Sequence, residues 1–261
     1  MSVEQRAGEF QKAFADLKAE IGKMIVGQQE AVENLLICFF AAGHTLLEGV
    51  PGLGKTQLVK TLSEVCDLEF NRIQFTPDLM PADIIGTDVV YEDEKGQRVF
   101  EFRPGPIHSQ IVLADEVNRA TPKTQSALLE AMQEGQITIG RKTYTMRQPF
   151  FVLATQNPIE MEGTYPLPEA QLDRFLLKTW VELPTKEELK EVLHRTTDAE
   201  RPQPQKIINE TQAVNHRMFI REVLAADNIK DFAVRLVMAS HPETEYSPAP
   251  VNRFVRYGSS P

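Results

Sequence analysis

The chain has 261 residues, 42% hydrophobic and 25% charged, with a formal net charge of -9 at pH 7. That composition fills the core of one large domain, or of a core domain with a small second one, and its acidic balance argues against a surface built to coat nucleic acid. No stretch approaches a membrane span, Met1-Ser2-Val3-Glu4-Gln5-Arg6 lacks the basic-then-apolar order of a secretory signal, and Cys38 and Cys66 lie in apolar runs without a C-x-x-C pair. The expected setting is therefore a reducing cytoplasm with both thiols in the core.

In chain order, Phe10, Phe14, Leu17 and Ile21 mark an amphipathic helix, and Thr45-Leu46-Leu47-Glu48 reads as a buried strand. Gly49-Val50-Pro51-Gly52-Leu53-Gly54-Lys55-Thr56 follows, a complete G-x-x-x-x-G-K-S/T phosphate loop, with Leu58, Val59, Leu62 and Val65 at helical spacing behind it. A chance glycine-rich turn would not come framed by a strand and a helix. The glycines let backbone N–H groups turn toward phosphates, Lys55 reaches the β- and γ-phosphates, and the Thr56 hydroxyl can ligate Mg²⁺. Gly49, Pro51, Gly52, Leu53, Gly54, Lys55, Thr56 and Gln57 thus form the candidate contacts to ATP or GTP.

A second strand candidate ends at Ile73-Gln74-Phe75, and Ile111-Val112-Leu113-Ala114 is a third, continuous and apolar as a buried parallel strand should be. The third closes on Asp115-Glu116. Two acids at a strand end commonly form a solvated turn; beside a phosphate loop, Asp115 is placed to hold the metal and Glu116 to polarise the attacking water. Thr121 and Pro122 open a helix with Leu128, Leu129 and Met132 on its apolar face, which Gly135 ends. Phe150-Phe151-Val152-Leu153-Ala154 is a fourth strand and Leu176 to Val181 a fifth, an alternation that specifies a doubly wound α/β fold with a parallel five-stranded core sheet.

Beyond the fourth strand, Asn157 either stabilises the turn before Pro158 or orients water at the γ-phosphate. Arg174 either pairs with a surface acid or projects into an adjoining subunit's site to neutralise transition-state charge. Asp88 to Phe102, around Glu94-Lys95-Gly96-Gln97, and Gln136 to Met146, around Gly140-Arg141-Lys142, read as hairpin insertions. After Pro184 the character turns helical, opened by a capping box at Thr185-Lys186-Glu187-Glu188, so the expected domains are 1–183, a nucleotide-binding core, and 184–261, a helical part.

The run Ala154-Thr155-Gln156-Asn157-Pro158-Ile159-Glu160, continued by Gly163-Thr164-Tyr165-Pro166-Leu167-Pro168-Glu169-Ala170-Gln171-Leu172-Asp173-Arg174-Phe175, resembles the MoxR family of AAA+ ATPases, and matching elements span about residues 26 to 260. The resemblance implies a ring, hexameric or similar, with ATP and Mg²⁺ bound between protomers. Lys55, Thr56, Asp115, Glu116 and Asn157 would come from one subunit and the Arg174 finger from the next. Val26-Gly27-Gln28 matches the family's segment near the adenine, which adds Val26 and Gly27 to the nucleotide contacts and makes ATP the nucleotide. The hairpins match the helix-2 and pre-sensor-1 insertions of the clade. The resemblance further implies chaperone-like remodelling or maturation of protein complexes, metal-cofactor insertion among them, often with a von Willebrand factor A-domain protein. Tyr257-Gly258-Ser259-Ser260-Pro261 stops short of the family's second sensor arginine, so the lid is expected to be truncated.

Two other functions compete. A nucleic-acid motor would use Arg141, Lys142 and Arg147 on the second hairpin with Tyr144 as its stacking ring, and a nucleotide-controlled scaffold would bind without appreciable turnover. His44, His108, His194, His216 and His241 have no metal-ligand spacing, and Pro104-Gly105-Pro106 suggests a rigid turn.

Overall fold

The computed structural model describes residues 2–50, 52–92, 97–140, 142–157, 163–197 and 202–259. Pro51, the hairpin residues Asp93 to Gly96, Arg141 and the stretch Pro158 to Glu162 lie outside the described residues, as do Ser260 and Pro261.

Helix α1 (Val3–Met24) opens on a capping box: the Gln5 N–H donates to Ser2 Oγ at 3.2 Å and the Ser2 N–H to Gln5 Oε1 at 2.9 Å. Its apolar stripe buries Leu17 and Ile21 and sets Phe10 and Phe14 against Phe40 of α2 (Gln29–Phe40), with ring centroids 5.1 and 6.2 Å apart. Strand β1 (Thr45–Glu48) is buried throughout and leads through the phosphate loop into α3 (Lys55–Val65). Strand β2 (Phe70–Gln74) and the short α4 (Pro81–Ile85) precede the first hairpin, β3 (Gly86–Glu92) with β4 (Arg98–Pro104). A Cβ on Gly105 would stand 2.2 Å from the Ile84 carbonyl oxygen, so the Pro-Gly-Pro turn needs glycine for close backbone approach.

Strand β5 (Ile111–Asp115) is followed by α5 (Pro122–Glu134), whose N-cap is Thr121 and whose C-cap Gly135 sits in the left-handed region at φ 59°. The second hairpin pairs β6 (Gln136–Ile139) with β7 (Lys142–Thr145). Then come β8 (Phe151–Gln156), α6 (Glu169–Leu172) and β9 (Leu177–Trp180). Helix α7 (Lys186–Thr197) has the capping box read from sequence, Thr185 N–H to Glu188 Oε2 at 2.7 Å and Glu188 N–H to Thr185 Oγ1 at 3.3 Å. Its Leu189 and Leu193 are exposed.

The five core strands run parallel in the order β2-β5-β8-β1-β9. Because β5 and β8 are flanked by strands and covered on both faces, Ile111 to Ala114 and Phe151 to Ala154 are fully buried. The edge strands are not: in β2 Ile73 alone is buried, and in β9 Thr179 alone. Two compact units are present, Met1–Met218 and Phe219–Pro261, with α8 (Glu210–Glu222) running across the division. The second holds α9 (Asp227–Ser240) and α10 (Ala249–Phe254); there the Ser259 N–H donates to Ser240 Oγ at 2.8 Å, while Ile229, Phe232 and Leu236 are exposed.

His44 stitches β1 to its neighbours. Its Nδ1 accepts from the Val152 N–H at 3.0 Å and its Nε2 faces the Met132 carbonyl at 3.1 Å, which fixes a neutral ring. Burial pushes its pKa down to about 4, against the Met132 bond that raises it, and the Arg217 charge lowers it further. The folded value lies below the unfolded one, so the stability is complete above about pH 6.5 and is lost as pH falls toward 4. Between pH 7 and pH 5 the wild type should lose about 2 kcal/mol more than His44→Gln by denaturant unfolding, since one pKa unit is about 1.4 kcal/mol. Parallel pH profiles would show that His44 is not the titrating group.

Candidate active site

The strand order decides what meets. Strands β5, β8 and β1 are neighbours, so their carboxyl ends bring Asp115, Asn157 and the phosphate loop to one edge of the sheet. There a cavity of about 240 Å³ is lined by Gly52, Gly54, Lys55, Thr56, Arg72, Gln74, Asp115, Glu116 and Asn157. Gly52 and Gly54 hold φ of 85° and 76°, conformations that favour glycine, and Gly54 is the N-cap of α3. A Cβ on Gly49 would lie 2.7 Å from the Val181 carbonyl oxygen, so the loop leaves β1 in contact with the chain beyond β9. Lys55 Nζ donates to the Gly49 carbonyl at 2.7 Å. Burial pulls the Lys55 ammonium below its ordinary pKa, while the charges of Asp115 and Glu116 push it back up.

The two acids are held by different partners. Thr155 of β8 donates its hydroxyl to Asp115 Oδ1 and accepts the Glu116 N–H at 2.9 Å, tying β8 to both residues. Arg72 of β2 donates to Asp115 Oδ2 from Nε at 3.1 Å and Nη2 at 2.6 Å, and Nη2 also reaches Gln74 Oε1 at 2.6 Å. Gln74 in turn donates to Glu116 Oε2 at 2.7 Å, which accepts from Arg119 Nη1 at 3.1 Å as well. Glu116 has φ 58° and ψ 50°, left-handed backbone that a non-glycine residue adopts at a cost of order 1 kcal/mol or more. That turn aims its carboxylate along the sheet edge. Thr56 and Asp115 both offer oxygen donors to a cavity already furnished with a lysine, which fits a small hard cation carrying phosphate oxygens.

Arg72, Gln74, Arg119 and Thr155 are site residues that sequence reading did not single out. Arg72 and Gln74 alternate with Ile73 and Phe75, the signal of a half-exposed strand. That they face the acids follows from β2 lying beside β5, with Gln74 in register with Asp115.

Other residues lie elsewhere. Leu53 is half-buried in the loop, and Gln57 donates to Thr61 Oγ1 at 3.3 Å and lines a separate groove with Lys60 and Glu64. Val26 and Gly27 join α1 to α2; Gly27 has φ 80°, and a Cβ there would collide with the Glu188 carboxylate at 2.4 Å. Gln28 Nε2 donates to the Glu182 carbonyl at 2.8 Å. Arg174 donates from Nη1 to the Leu129 carbonyl at 2.9 Å and lines a different cavity, with Glu130, Glu134 and Gln171. On the second hairpin, Tyr144 is stacked on Phe102 with centroids 4.1 Å apart, and Arg147 is paired with Glu210. The ring and one of the charges a nucleic-acid motor would use are thus engaged within the chain.

A parallel sheet in this order, with a phosphate loop after β1 and paired acids at the end of β5, two places away across β8, defines a P-loop ATPase fold of the AAA+ class. The sequence profile of the ATPase family associated with various cellular activities (AAA) matches residues 44–177. The chaperone MoxR1 of Mycobacterium tuberculosis is 43% identical over 242 residues, covering 93% of this chain and 63% of that protein. The protein YeaC of Bacillus subtilis is 44% identical over 235 residues, 88% of this chain and 72% of its own length. A solved structure of a candidate ATPase from Cytophaga hutchinsonii superposes with a TM-score of 0.88 at 45% identity, over 98% of this chain and 77% of that one. The chain belongs to the MoxR family of AAA+ ATPases. It spans less than two thirds of the length of the M. tuberculosis relative. Among the described residues, no helix is long and apolar enough to cross a membrane.

Proposed function

We propose that the chain binds ATP with Mg²⁺ in this crevice, hydrolyses it at an interface between protomers of a ring, and uses the cycle for chaperone-like remodelling of protein complexes. The observation that carries the reading is the gathering of Lys55, Thr56, Asp115, Glu116 and Asn157 around one cavity from three adjacent strands. The backbone N–H groups of residues 52–56 and the Lys55 side chain hold the phosphates, with Val26 and Gly27 toward the adenine. Thr56 and Asp115 would hold Mg²⁺, which when bound supplies positive charge to the phosphate oxygens. Glu116 takes a proton from water as its oxygen attacks the γ-phosphorus, the bond to the bridging oxygen breaks, and ADP and phosphate leave. Asn157, buried beside the loop, orients that water or the γ-phosphate. On this reading residues 1–183 serve as the nucleotide core and 184–261 as helical lid.

Arg174 supports a site shared between subunits, because it stands outside the cavity of its own chain. We expect Arg174→Ala and Lys55→Ala each to lose turnover, and mixtures of the two to regain part of it at interfaces joining an intact Lys55 to an intact Arg174. An arginine finger is worth about 10³ to 10⁵ in rate elsewhere, so even a small fraction of repaired interfaces is measurable. No recovery in demonstrably mixed assemblies would contradict the shared site.

The chaperone description of the M. tuberculosis relative supports a protein client. A hexamer, a von Willebrand factor A-domain partner and a role in metal-cofactor insertion extend the same reading. Capture of partners by a Glu116→Gln protein held in ATP tests it.

A further inference from the structure

We propose that Arg72 and the divalent cation compete for one oxygen of Asp115, so that Arg72 is a positioning residue setting how readily the site takes up its metal. This rests on the nucleotide reading above. Thr155 occupies Asp115 Oδ1. One lone-pair site of Oδ1 is thus taken, which makes Oδ2 the more available oxygen for a cation, and Arg72 directs two donors to it, Nε at 3.1 Å and Nη2 at 2.6 Å. A guanidinium and a divalent cation cannot both sit on that lone-pair face, because both seek the same negative charge and repel each other.

The placement is unlike a simple surface pair. Arg72 stands on the edge strand, lines the cavity itself, and is about half exposed, whereas its Asp115 partner is 13% exposed. The guanidinium can therefore swing into solvent without opening the core, while the carboxylate stays fixed. Arg72 Nη2 also holds Gln74 Oε1, and the amide of Gln74 holds Glu116 Oε2. Metal uptake at Asp115 thus removes the anchor of the side chain that restrains Glu116. The two acids are connected through one arginine that the hydrolytic chemistry itself does not use.

Because the pair is partly open to solvent, its displacement carries a modest penalty, about threefold to tenfold in cation affinity. The test is Mn²⁺ uptake by the ADP-saturated full chain, followed by electron paramagnetic resonance, with ADP affinity measured separately in chelator. Arg72→Gln should take up Mn²⁺ at least about threefold more tightly than wild type, and Arg72→Lys, which retains a competing charge, should stay near wild type. Unchanged or weaker Mn²⁺ uptake by Arg72→Gln with normal ADP binding overturns the competition alone, as does an equal gain in Arg72→Lys. Failure of the wild type to bind ADP overturns the nucleotide reading and this inference with it.

Discussion

Lys55→Ala is expected to weaken ATP binding at least a hundredfold while leaving the fold intact. The Lys55 ammonium is the cavity-lining lysine, facing two carboxylates, Asp115 and Glu116, that would otherwise repel the phosphates. Losing one charge-assisted contact and leaving those acids unopposed removes about 3 to 4 kcal/mol, at a separation near 4 Å and an effective dielectric near 20. That corresponds to roughly a hundredfold to a thousandfold in affinity. The side chain's hydrogen bond runs to the neighbouring Gly49 carbonyl, which can turn to water, so the melting temperature should barely move. Titration calorimetry with ATP checks the effect; an affinity within threefold of wild type would place the phosphates elsewhere.

Glu116→Gln should do the opposite, keeping ATP bound while slowing its hydrolysis by at least about tenfold. The amide matches the carboxylate in size, and Thr155 fixes the backbone through the Glu116 N–H, so the left-handed turn survives. What disappears is the capacity to take a proton, and a positioned general base contributes typically 10² to 10⁴ in rate. Removing a negative charge from the cavity should tighten ATP slightly. Equal hydrolysis by the variant and the wild type would remove Glu116 from the mechanism, and loss of binding would make it a structural residue.

The legible parts of the fold were those where one force dominates. Strands β5 and β8 are covered on both faces, so Ile111 to Ala114 and Phe151 to Ala154 must be apolar without a break. The C-cap of α5 and the N-cap of α7 follow from backbone groups that need partners at helix ends, which Gly135 and Thr185 with Glu188 announce locally. The phosphate loop is legible for the same reason, since its glycines and lysine act within eight consecutive residues.

The acids' partners were not legible, because they depend on strand order. Strand β2 reads Phe-Asn-Arg-Ile-Gln with one buried residue, and nothing local says that it lies against β5 instead of β1. Arg72 and Gln74 become site residues through that adjacency alone. Thr155 was visible within the family stretch, yet its hydroxyl bridging Asp115 and the Glu116 N–H requires the register of β8 on β5. For Arg174 the limit is different: a residue that serves a neighbouring copy has its partner in another chain, and within its own it simply donates to the Leu129 carbonyl.

The most direct test is phosphate release from saturating ATP and Mg²⁺ by wild type and Glu116→Gln side by side, with the bound nucleotide identified at each time. Steady release by the wild type, with intact ATP retained on the variant, is the predicted result. Intact ATP persisting on a fully assembled wild type over many hours would contradict hydrolysis and leave a nucleotide-controlled scaffold.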